Sequence, residues 1–197
     1  MEDRGGEVLF DDGLTCLYYG DAMEIIPSLG EIFDAVIFDP PRFGPVTMTA
    51  IDLANAFVPY VDGWIVHLAG GKQWDCWNMP NIPYRVPPVL NPSYSENDYI
   101  VFIHPSGFTQ GELKAPLLRE DIEPYTPPQW CHVARHPELY RWLYSFVIPA
   151  KDPVILDPCC GSGNSLIEAR KMGIRSVGIE WKGHRARQIQ RLLNELG

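Results

Sequence analysis

"VILDPCCGSGNSLIEARKMGIRSVGIEW", Val154 to Trp181, decides the fold. An apolar run stops at Asp157, a Gly-Ser-Gly turn follows, and a helix is expected to open near Asn164. A second apolar run then ends at Glu180. Gly161 and Gly163 permit a tight turn and close approach of a ligand to the backbone. An acid closing the second strand can accept hydrogen bonds from both hydroxyls of a ribose. A lone Gly-x-Gly would carry little weight, but strand, Asp, Gly-x-Gly, helix, strand and acid in that order carry much more. The turn lacks the third glycine of a dinucleotide fingerprint, because Leu166 stands there, and it lacks the Gly-Lys-Ser/Thr of a phosphate loop. Two acids facing one site disfavour a pyrophosphate and suit a ligand that carries positive charge.

Upstream, "FDAVIFDPPRFGP" (Phe33 to Pro45) poses a second question. Its apolar part reads as a strand buried on both faces. Asp39 ends it, and Pro40 and Pro41 stiffen the elbow that follows. Open α/β sheets place ligands at such carboxyl ends, although an acid in a turn is also an ordinary feature.

The rest of the chain alternates in the same way. "LTCLYY", "GWIVHLAG" and "DYIVFIHP" read as strands. "GDAMEIIPSLG" reads as a turn and short helix, and "MTAIDLANAFVPYV" as a helix. "HPELYRWLYSFVI" reads as a helix with Leu139, Trp142, Leu143 and Phe146 on one face, and "KGHRARQIQRLLNEL" as an amphipathic helix. This alternation implies an α/β fold with a doubly wound, mostly parallel sheet. Residues 70–92 and 105–130 break the pattern with prolines, glycines and aromatics. Loops this long are functional or disordered as a rule, and their aromatics favour ordered loops that face a ligand or partner.

At 197 residues the chain can bury a real core. No apolar run reaches bilayer length, and the "MEDRGGE" start is unlike a signal peptide. Five cysteines without Cys-x-x-Cys spacing argue against a disulfide framework and for a reducing, cytoplasmic setting without membrane association. A net charge of −9 is unusual for a non-specific nucleic-acid binder, so a polyanion would have to meet a local patch. The basic residues from Arg170 to Arg191 read first as a solvated helix face. His67, His104, His132 and His136 have no metal-site spacing and read as structural or surface residues, and no metal is expected. Trp64 and Trp142 read as core. Trp74, Trp77 and Trp130 are the better candidates for contact with substrate.

These motifs resemble a known family. "DPPR", Asp39 to Arg42, is similar to the (Asp/Asn/Ser)-Pro-Pro-(Tyr/Phe/Trp) motif of amino-methyltransferases. "DPCCGSGNSLIEA" looks like their S-adenosylmethionine loop, and "VGIEWKGHRARQIQRLL" like the ribose-binding acid and the helix after it. "LYYGDAMEIIPSL" resembles the Gly-Asp segment before the catalytic strand. The catalytic motif precedes the cofactor loop, as in the permuted β group of DNA adenine-N6 and cytosine-N4 methyltransferases.

The resemblance implies a single domain, 1–197, with a seven-stranded Rossmann-like sheet in circularly permuted order. It implies methylation of an exocyclic amino group on a flipped or single-stranded DNA base, adenine N6 ahead of cytosine N4. It assigns catalysis to Asp39, Pro40, Pro41, Arg42 and Phe43. It assigns S-adenosylmethionine binding to Asp21, Asp39, Asp157, Pro158, Cys159, Gly161, Gly163, Asn164, Ser165, Glu180 and Trp181. Arg42 departs from the family's aromatic. It could stack through its guanidinium plane, grip a phosphate, or leave the ring's role to Phe43; or the site could have lost its chemistry. The small recognition region leaves room for a homodimer or a specificity partner. Three other readings stay open: a methyltransferase fold that binds and transfers nothing, an RNA or protein amide methyltransferase, and, last, a nicotinamide-dependent oxidoreductase.

Overall fold

The computed structural model describes residues 6–40, 56–69, 81–85, 99–103, 123, 125–131, 134–148 and 151–197. Its strands are β1 (Glu7–Asp11), β2 (Thr15–Tyr19), β3 (Phe33–Phe38), β4 (Val61–Ala69), β5 (Asn81–Arg85), β6 (Tyr99–Ile103), β7 (Val154–Asp157) and β8 (Arg175–Glu180). Its helices are α1 (Ala22–Leu29), α2 (Pro137–Val147), α3 (Asn164–Lys171) and α4 (Gly183–Leu196).

The eight strands among the described residues form one sheet in the order β1-β2-β8-β7-β3-β4-β6-β5. The run β2-β8-β7-β3-β4 is parallel throughout. Only β6 and β1 run the other way, so β5 again lies parallel to β4. The seven strands from β2 to β5 are the expected mostly parallel sheet. β1 extends it by one hairpin strand that the sequence pattern does not reveal, because "EVLFD" is short and half-exposed at an edge.

β3 explains the double winding. Val36 and Phe38 point into one apolar cluster with Ile25 and Ile26 of α1. Ala35 and Ile37 point into another with Leu139, Leu143 and Val147 of α2. Burial on both faces is why this strand reads as an unbroken apolar run. A third cluster seats Ile189 and Leu193 of α4 against Leu17 of β2 and Leu166 of α3. Gly178 on β8 lets α3 approach the sheet: a Cβ there would meet Leu166 Cδ1 at 2.4 Å.

Two expectations change. Asn81–Arg85, inside the segment read as a loop, is an edge strand paired with β6; Pro83 is tolerated because an edge strand has one side free of ladder bonds. The end of the expected helix, Val58–Tyr60, is a 3₁₀ turn, with Pro59 at its start, and β4 begins at Val61. Trp130 is half-buried and packs against the cluster of Leu17, Leu166 and Ile189. Trp64 and Trp142 pack against the α2 cluster as read. Trp74, Trp77, His104 and His132 lie outside the described residues. Among the described residues no helix is long and apolar enough to cross a membrane, and no group of side chains could hold a metal.

Candidate functional site

Because β2, β8, β7 and β3 are parallel neighbours, their carboxyl ends share one edge of the sheet. Each of these ends leads to an acid: Asp21, Glu180, Asp157 and Asp39. β7 is the short one. Asp157 pairs with Gly178, so Glu180 stands two residues further out. On the other side Val36 pairs with Leu156, and continuing that register puts Asp39 two residues beyond Asp157. The edge is therefore notched at β7, with Asp157 on the floor and taller acids on both sides. The chain leaves β7 toward β8 and leaves β3 toward β4, in opposite directions across the sheet. That makes the β7–β3 gap the topological switch point, where open α/β sheets bind ligands.

The turn after β7 lines the notch. Cys160 N–H donates to the Ile179 carbonyl at 3.0 Å and Gly163 N–H to the Cys160 carbonyl at 2.7 Å, which tie the turn to β8 and to itself. Gly161 and Gly163 sit at φ +52° and +78°, in the left-handed region. Gly163 is also a close contact, since a Cβ would meet Ile189 Cγ2 of α4 at 2.7 Å. Nothing comparable crowds Gly161, whose nearest neighbour to an added Cβ would be the Cys159 carbonyl oxygen at 3.6 Å.

Asp157 is buried, with one oxygen accepting from Cys159 N–H at 3.1 Å and the other from the Ser165 hydroxyl. Burial pushes its carboxyl up to about 7, the two hydrogen bonds oppose that, and the charges of Asp39 and Glu180 add to the rise. Glu180 is buried too, and burial raises it although Lys182 N–H donates to its Oε1 at 2.7 Å. Tyr140, on α2, has its hydroxyl pushed up by burial first, and the charges of Asp157 and Asp39 add to the rise. A cation seated here would relieve these crowded acids. The notch is thus a cradle of acids suited to a ligand that carries positive charge, and Trp181 beside Glu180 is 47% accessible.

The remaining expected residues fall as follows. Asp21, exposed, caps α1 by accepting from Met23 N–H at 2.9 Å and lies at the β2 end of the row. Pro158 is buried and Cys159 half-buried in the turn. Asn164 opens α3, and its amide donates to the Tyr125 hydroxyl at 2.9 Å and the Arg135 carbonyl at 2.7 Å. Pro40 is half-buried beside Asp39, while Pro41, Arg42 and Phe43 lie outside the described residues.

Sequence reasoning missed Arg135. Buried at 3% accessibility, it grips Asp39 in a fork, Nε to Oδ2 at 2.8 Å and Nη2 to Oδ1 at 3.1 Å. Ninety-six positions separate the two, and only the third dimension joins them. Two of the four histidines read as structural or surface residues are described: His136 caps α2, and His67 is buried and stacked on Phe38 at 4.7 Å. Several basic residues of the C-terminal region are held by this chain's own acids, Arg170 by Asp12, Lys171 by Glu168 and Arg175 by Glu31. Arg187 and Arg191 of α4 remain exposed.

No family model matches the chain. Solved structures do. The M1.HpyAVI–S-adenosylmethionine complex is 16% identical, covers 91% of this chain and 99% of its own, and superposes with a TM-score of 0.64. The cytosine-N4-specific PvuII DNA methyltransferase is 13% identical over 96% of this chain and 93% of its own, with a TM-score of 0.70. TTHA0409, a putative DNA modification methylase from Thermus thermophilus complexed with S-adenosyl-L-methionine, is 22% identical over 91% and 95%, with a TM-score of 0.57. At such identities the likeness is one of fold: the chain has the α/β sheet of DNA amino-methyltransferases, and its chemistry must be argued from its own site.

Proposed function

We propose that this chain, read as one methyltransferase domain over 1–197, transfers a methyl group from S-adenosylmethionine to an exocyclic amino group of a DNA base, adenine N6 or cytosine N4. The observation that carries the reading is the notch itself, with Asp39 on one side, Asp157 and the Gly-Ser-Gly turn on its floor and Glu180 on the other. When bound, S-adenosylmethionine supplies an electrophilic methyl group on a sulfonium. Asp157 and Glu180, with the open backbone at Gly161, would hold its charged and ribose parts, and Trp181 and Asp21 would border its adenine.

An aryl amine is a poor nucleophile because its lone pair is delocalised into the ring. Asp39 accepts from one N–H and the Pro40 carbonyl from the other, drawing the nitrogen toward tetrahedral geometry and freeing that pair for the new N–C bond. Asp39 is then the nearest acceptor for the proton that must leave. The protein's contribution is positioning and electrostatics. Arg135, paired with Asp39, holds the carboxylate in place for the amino group. A base in a duplex must be flipped out to reach it. The cytosine-N4 specificity of the PvuII enzyme, and the S-adenosylmethionine bound in the M1.HpyAVI and TTHA0409 structures, support this reading.

Incubation with tritiated S-adenosylmethionine and DNA, single-stranded DNA, RNA or protein tests it. Label should enter DNA with the wild-type chain and not with Asp39→Ala, while both bind the cofactor. Cofactor binding without label in any acceptor would instead establish a methyltransferase fold that binds and transfers nothing.

A further inference from the structure

We propose that Arg135 is a positioning residue that fixes the plane of the Asp39 carboxylate; its value for transfer rests on the methylation reading above. The guanidinium donates one hydrogen bond to each Asp39 oxygen and reaches the Leu68 carbonyl at the end of β4 at 3.5 Å. A forked pair of this kind sets an orientation as well as a distance. It takes one lone-pair direction from each oxygen and leaves the outward ones to a substrate, and Asp39 keeps a side-chain accessibility of 20% while Arg135 has 2%.

The backbone beneath the guanidinium is held from two directions. The Arg135 carbonyl accepts from Asn164 Nδ2 at 2.7 Å, which anchors it to the first residue of α3 beside the cofactor turn. His136, the next residue, accepts from Glu138 N–H through Nδ1 at 3.0 Å, so its Nε2 carries the proton and donates to the Glu123 carbonyl at 2.9 Å. One residue therefore spans the notch, its main chain tied to the cofactor side and its side chain tied to Asp39. A shift of Asn164 would be felt at the Asp39 carboxylate. A purely structural ion pair would contribute to folding alone. A positioning pair affects the rate of transfer even where the fold and cofactor binding survive.

Arg135→Lys keeps the charge and loses the fork. It should lower kcat about 100-fold, the scale of a misplacement near 1 Å, while the calorimetric Kd for S-adenosylmethionine changes less than threefold. An unchanged kcat, or a loss found wholly in cofactor affinity, overturns the proposal. If that variant does not fold, Arg135→Gln, Asp39→Asn and the double variant form a stability cycle. The double variant should recover most of the melting temperature lost by Arg135→Gln, and coupling indistinguishable from zero overturns the grip itself. Failure of the wild-type chain to label any acceptor sinks the methylation reading instead, and the stability cycle still decides whether Arg135 clamps Asp39.

Discussion

Asp157→Asn should stabilise the folded chain at pH 8, and the size of the gain follows from the site. The carboxyl rises from 3.8 to about 7 on folding. Between those values the folded state holds a proton that the unfolded state has lost, so the stability contributed by this group is full below pH 3.8 and falls as pH rises to about 7. About three pH units at ~1.4 kcal/mol each make a loss of about 4 kcal/mol. Asn carries no charge to bury, and it can still accept from Cys159 N–H and donate to Ser165. Urea denaturation of both proteins from pH 4 to pH 8 should show curves that diverge with rising pH, the variant ending the more stable. A cationic ligand favours the carboxylate, so S-adenosylmethionine should bind the wild-type chain more tightly as pH rises toward 7, releasing a proton that calorimetry in buffers of different ionisation enthalpy can count. An affinity flat from pH 5 to pH 8, together with no gain in the variant at pH 8, would refute the buried-acid account.

Glu180→Ala should weaken S-adenosylmethionine at least tenfold by calorimetry while the far-ultraviolet circular dichroism stays unchanged. Gly163→Ala combines a left-handed backbone with a Cβ 2.7 Å from Ile189 Cγ2, and should cost about 2–4 kcal/mol in denaturant titration. Arg42→Tyr, which supplies the aromatic of the resembled motif, should raise the rate of label transfer to DNA, and an unchanged rate would argue against stacking at this position.

The parallel core was legible because strands buried on both faces leave unbroken apolar runs, as at Ala35–Phe38 and Val154–Leu156, and because each ends at an acid followed by proline. The edges were not. β5 carries Pro83, which reads as loop chemistry, and β1 is too short and too exposed to show a pattern. In the candidate site, Gly161, Gly163 and Glu180 are marked by local sequence, since their roles follow from local backbone and strand ends. Arg135 is marked by nothing local. Its neighbours spell a helix start, and its partner is a strand end that only sheet order brings close. Trp130 is a further case, because nothing in the local sequence reveals its packing against Leu17, Leu166 and Ile189.

The pairing of β3 with β7 has a consequence for synthesis. Asp34 accepts from Val154 N–H at 2.8 Å across 120 positions, so the middle of the sheet waits for a partner made much later. A nascent chain that has emerged only as far as α2 presents β3 with one ladder edge bare, although its side chains are those of a strand meant to be enclosed. Such edges recruit other chains. Fragments ending before Val154 should accordingly collect in inclusion bodies, and slow release from the ribosome would lengthen the period in which a chaperone is needed.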